Sequence, residues 1–77
     1  MKKPTPDTIL ENINCALRAQ GLTKTALGYM LGYSEPEISA LLLGKRSLKM
    51  YDFLLIARAL KLPPALLLSE DFRHLYD

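Results

Sequence analysis

The 77-residue chain has no tryptophan, one cysteine and one histidine. A lone Cys15 excludes an internal disulfide and fits a reducing compartment. One histidine and one cysteine cannot build a common four-ligand zinc site, so neither metal nor cofactor is expected. His74 reads as an exposed terminal side chain and Cys15 as a small buried hydrophobe on a helix. Neither has a visible catalytic partner, and an enzyme is not expected. No run approaches the roughly 18 apolar residues of a membrane span, and no signal peptide precedes the first helical pattern. A cytoplasmic protein without a membrane association is the expectation. Repeats, low-complexity segments and strand patterns are also missing.

What is present is a high apolar content, 49% of residues, enough for a packed core in one small domain spanning residues 1–77. The net charge is only +2, so charge distribution is more informative than its sum. Lys45, Arg46 and Lys49 cluster, Lys2 and Lys3 stand in a short basic arm over residues 1–5, and Lys24 opens a helical segment. Most acids lie elsewhere, at Asp7, Glu11, Glu70, Asp71 and Asp77, with Glu35 and Glu37 as exceptions.

Apolar periodicity predicts an all-α chain. A first helix over about 6–20 starts at Thr5-Pro6, an N-cap followed by proline. It carries Ile9, Leu10, Ile13, Ala16 and Leu17, and Gly21 ends it. Thr23 caps a second helix over about 24–31, with Leu27 and Leu31 four apart and Gly32 at its end. Gly28 in its middle costs about 1 kcal/mol of helix propensity, which points to close approach of another helix. Gly32 is read in the same way, as a place where a side chain would push two helices apart. Ser34-Glu35-Pro36-Glu37 is an S-x-x-E capping box with proline in the first turn. It opens a third helix over about 35–43, with Ile38, Leu41 and Leu42 inward and Gly44 closing it. A fourth helix over about 49–61 places Met50, Phe53, Leu54, Ala57 and Leu60 in one stripe. Pro63-Pro64 begins a fifth over about 64–69, and a terminal turn is possible over 70–76.

Two short helices joined by a tight turn over Gly21–Arg46 have the geometry of a helix-turn-helix, whose second helix enters the DNA major groove. The segment GLTKTALGYMLGYSEPEISALLLGKR, followed by LLIARALKLPPALL, resembles the phage Cro/repressor-type, or XRE-like, helix-turn-helix family over roughly residues 8–69. Counting from Lys24, the family's small fifth residue is Gly28 and its ninth-place glycine is Gly32. The apolar fourth, eighth, fifteenth and eighteenth places are Leu27, Leu31, Ile38 and Leu41. The resemblance implies a five-helix lambda-repressor-like domain, bacterial or phage-encoded. Family members often carry an internal arginine–glutamate pair at two places held here by Leu17 and Leu42. Replacing both partners by apolar residues is often neutral or stabilising.

The resemblance implies backbone contacts to double-stranded DNA from Thr23 and Lys24, and from Lys45, Arg46, Ser47 and Lys49 across the groove. The base-reading face would be Glu35, Pro36, Ser39 and Ala40. It lacks the Gln, Asn or Arg of bidentate base contacts. Pro36 and Ala40 suit a thymine methyl, and Ser39 bonds either way. Glu35 either accepts from cytosine N4 or simply stabilises a helix N-terminus, and Glu37 fits the capping role. A homodimer on a two-fold-related operator is implied. Its candidate interface residues are Leu43, Leu66, Leu67, Phe72, Leu75 and Tyr76, of which Phe72, Leu75 and Tyr76 are favoured. The alternative is a protein-interaction module with weak DNA specificity, such as an antitoxin bound to its toxin. No small-molecule ligand is indicated.

Overall fold

The computed structural model describes residues 6–69, in which five α-helices follow one another: α1 (Pro6–Gln20), α2 (Lys24–Leu31), α3 (Glu35–Leu42), α4 (Met50–Leu60) and α5 (Pro64–Leu67). The all-α expectation holds. The ends differ by a few residues. Leu43 is a cap beyond α3, Lys49 and Lys61 lie just outside α4, and α5 closes into a turn at Leu68. The Thr5 cap, the arm 1–5 and the terminal turn 70–76 fall outside the described residues.

The helix ends explain the turns. α1, α2, α3 and α4 each finish with the same pair of backbone bonds. The amide two residues past the helix, or three past α3, reaches back five residues, as in Leu22 to Leu17, Tyr33 to Gly28, Lys45 to Ala40 and Leu62 to Ala57. This Schellman arrangement needs a left-handed residue at the reversal. Gly21, Gly32 and Gly44 supply it with φ of 69°, 76° and 78°. Lys61 adopts φ 58° at the fourth place despite its side chain. Lys61→Gly is therefore expected to raise stability by about 0.5–1 kcal/mol, after allowing for the lost cation at a helix C-terminus. Urea denaturation would read the gain as a higher midpoint at unchanged slope.

Gly28 and Gly32 do different jobs. A Cβ on Gly28 would meet Ile38 Cγ2 at 2.9 Å, so α2 and α3 cross at van der Waals contact there. A Cβ on Gly32 would meet nothing within 4 Å. The expectation that Gly32 relieves crowding is corrected: it is there for its dihedral angle.

The core gathers Ile13, Ala16, Leu17, Leu27, Ile38, Leu41, Leu42, Phe53, Ile56, Ala57, Leu60 and Leu67, together with Cys15. The stripe expected on α4 is rotated. Met50 and Leu54 are exposed, whereas Asp52 and Ile56 are buried. Leu67, expected as an interface candidate, is fully buried and belongs to the core. Leu66 packs partly against it, and Leu43 is exposed.

Three amide side chains on α1 bind the ends of other helices. Asn12 Nδ2 donates to the carbonyls of Leu67 at 2.7 Å and Ser69 at 2.9 Å. Gln20 Nε2 donates to Leu60 at 2.8 Å, and Asn14 Nδ2 to Leu10 at 2.9 Å and Leu42 at 3.4 Å. Leu42, Leu60 and Leu67 are the last residues of α3, α4 and α5, whose carbonyls have no partner within their own helix. α1 thus holds three helix C-termini through its polar positions while its apolar face fills the core.

Candidate nucleic-acid interface

The first turn of α3 is built by its own side chains. Ser34 Oγ accepts from the Glu37 amide at 3.3 Å, and Glu37 Oε1 accepts from the Ser34 amide at 3.2 Å and from its hydroxyl at 2.9 Å. The capping box read from the sequence is present. The Ser34 hydroxyl and amide hold the Glu37 carboxyl below its ordinary pKa, and Arg46 adds to this. At α2, Thr23 Oγ1 accepts from the Ala26 amide at 3.0 Å. The Thr23 oxygen is thus committed to its helix.

Past α3 the chain folds back onto the helix. The amides of both Lys45 and Arg46 donate to the Ala40 carbonyl, at 2.9 and 3.2 Å. Lys45, Arg46, Ser47 and Lys49 are all exposed. The return of the loop brings Arg46 Nη1 to 3.6 Å from Glu37 Oε2. A basic loop therefore lies against the C-terminal half of α3, with one of its cations shared with the first turn.

The outer face of α3 has Glu35 and Pro36 exposed, with Ser39 and Ala40 half-buried. Leu43 continues it, 57% exposed. Lys24 is half-buried and lines a groove of about 570 Å³ with Arg18, Asn14, Leu42 and Leu43, and with the acids Asp7 and Glu11. Lys24 thus shares its groove with two acids, and Arg18 is a neighbouring cation that sequence reading passed over.

A second polar link stabilises the site from behind. The Tyr33 hydroxyl, at the α2–α3 turn, donates to Asp52 Oδ1, and Asp52 Oδ2 accepts from the Lys49 amide at 3.2 Å. Asp52 is 1% exposed. It joins the turn to the start of α4, just where the basic loop ends. The bond to Asp52, then burial, push the Tyr33 pKa up to about 12. Sequence reading missed both residues; the available signal was an aspartate three places after Lys49, where a helix cap is often formed.

A family model described as helix-turn-helix matches residues 16–67. The chain belongs to the helix-turn-helix family. The match covers α2, the turn and α3 whole, and the family is that of the Cro/XRE-like DNA-binding regulators. Helix-turn-helix proteins of this kind are typically non-enzymatic. No curated protein and no solved structure matches the chain. Among the described residues no helix is long and apolar enough to cross a membrane, and no group of His, Cys, Asp and Glu could hold a metal ion.

Proposed function

We propose that this helix-turn-helix protein is a Cro/repressor-like transcriptional regulator that lays α3 in the major groove of double-stranded DNA. The observation that carries the proposal is the basic loop folded against α3. Lys45 and Arg46 are held beside the open helix face by backbone bonds to Ala40, and the exposed Ser47 and Lys49 follow in the same loop, with the Lys49 amide bonded to Asp52. Thr23 and Lys24 contact the backbone on the other side of the groove. Glu35, Pro36, Ser39 and Ala40 face the bases and give modest sequence preference, with DNA shape contributing. Binding as a homodimer on a two-fold-related operator is part of the proposal, with Phe72, Leu75 and Tyr76, outside the described residues, as interface.

Reversing Lys45 and Arg46 to glutamate is the direct test. The double substitution is expected to weaken binding to random duplex at low salt by at least about tenfold per protomer. Four cations per protomer in a dimer would give a slope of log K against log salt of about −7 at most, and the variant a shallower one. Unchanged affinity would sink the docking.

A second reading draws support from α4. Met50, Tyr51, Leu54 and Leu55 are exposed together on that helix, 71%, 55%, 47% and 39%. A protein partner such as a toxin would cover such a stripe. Undetectable binding to duplex at low salt would favour this protein-interaction module over the regulator.

A further inference from the structure

We infer that Glu37 acts as an internal stand-in for a DNA phosphate: it occupies Arg46 in the free protein, and duplex binding exchanges the carboxylate for a phosphate. The inference rests on the DNA-binding reading above and names a residue that sets its affinity. The Glu37 carboxylate and the Arg46 backbone are fixed before DNA arrives. Glu37 is anchored by its Oε1, which accepts from the Ser34 amide and hydroxyl. That leaves Oε2 to face Arg46 Nη1 at 3.6 Å. Arg46 is anchored by its own amide on the Ala40 carbonyl. The carboxylate therefore sits at a set place within reach of the guanidinium.

The pair is also exchangeable. The two side chains are 43% and 49% exposed, so water and a competing anion reach the guanidinium freely. An exposed pair of this kind is weak. A phosphate oxygen offers the guanidinium the same planar recognition as a carboxylate. When the swap occurs, Glu37 keeps its cap on α3 and loses only its outer contact. The net value of Arg46 on DNA is then the phosphate contact less the internal pair. Glu37 thus lowers affinity through Arg46 and not by opening the helix.

Glu37→Gln isolates this effect, because glutamine at the same place preserves the capping box while removing the charge. The full chain, Glu37→Gln, Arg46→Gln and the double variant would be titrated against a random 20-base-pair duplex at fixed low salt, by fluorescence anisotropy. Glu37→Gln is expected to tighten binding about two- to fivefold per protomer, the range set by an exposed ion pair. In the Arg46→Gln background the same change is expected to have no effect. Arg46→Gln should correspondingly cost more affinity in the Glu37→Gln protein than in the parent. Equal tightening in both backgrounds would overturn the inference, since Glu37 would then act by simple repulsion of phosphate. No tightening in either would overturn it as well. A parent protein that fails to bind duplex would instead refute the DNA-binding reading and take this inference with it.

Discussion

Leu17→Arg is expected to remove at least about 4 kcal/mol of folding stability, and Leu42→Glu a similar amount. A chain of this length has a total of only about 4–12 kcal/mol. Each single variant should therefore lose between about a third and all of its stability, read as a much lower urea midpoint by far-ultraviolet circular dichroism. Leu17 and Leu42 are each 3% exposed and belong to one buried cluster. A lone arginine or glutamate there has no water and no counter-charge. The family often places an arginine and a glutamate at these two positions, so the double variant Leu17→Arg/Leu42→Glu recreates a buried pair. It should recover at least about 2 kcal/mol over the sum of the singles. The parent with two leucines should remain at least as stable as the double, because packed apolar residues avoid the desolvation of both charges. Strict additivity would show that the two positions do not face each other.

The sequence exposed this part of the fold because the relevant physics is local. Helix spacing, an S-x-x-E box and glycines at helix ends act within a few residues, and they placed α2 without error. Gly28 was legible for the same reason, since a glycine inside a helix needs a close neighbour to justify it. The register of α4 was not. Met50 and Leu54 are as apolar as Ile56, and what turns the helix is Asp52, held inward by Tyr33 across 19 positions of chain. The amides of α1 are another case: Asn12 meets Leu67 across 55 positions, and no spacing rule could pair them. At the candidate interface the cations were visible as residue types. Their arrangement depends on the return of the loop to Ala40, which brings Arg46 to Glu37. The Lys24 surroundings were equally hidden, because Asp7, Glu11 and Arg18 reach its groove from a different helix.

Removing the Asp52 carboxylate is the other change expected to have a large effect. Asp52→Ala takes away the acceptor for the Tyr33 hydroxyl and the cap on the Lys49 amide together. A bond to a charged group contributes about 1.5–3 kcal/mol and a lost cap about 1 kcal/mol. A loss of about 3 kcal/mol is expected in urea denaturation. Tyr33→Phe keeps the ring and the cap and removes one bond, so its cost should be smaller, about 2 kcal/mol. The two substitutions should not add, because a phenylalanine ring at that position has no hydroxyl in need of an acceptor. The pH profile provides an independent check. The folded Tyr33 pKa of about 12 lies above the ordinary value of 10.0, so the neutral hydroxyl is the form that folding favours. Its contribution is complete below pH 10 and is lost as the pH rises from 10 through about 12. Stability of the parent should fall across that window. The fall should be much smaller in Tyr33→Phe. If the two proteins lose stability equally there, Tyr33 does not tie the α2–α3 turn to α4, and the basic loop between them must be held by its bonds to Ala40 alone.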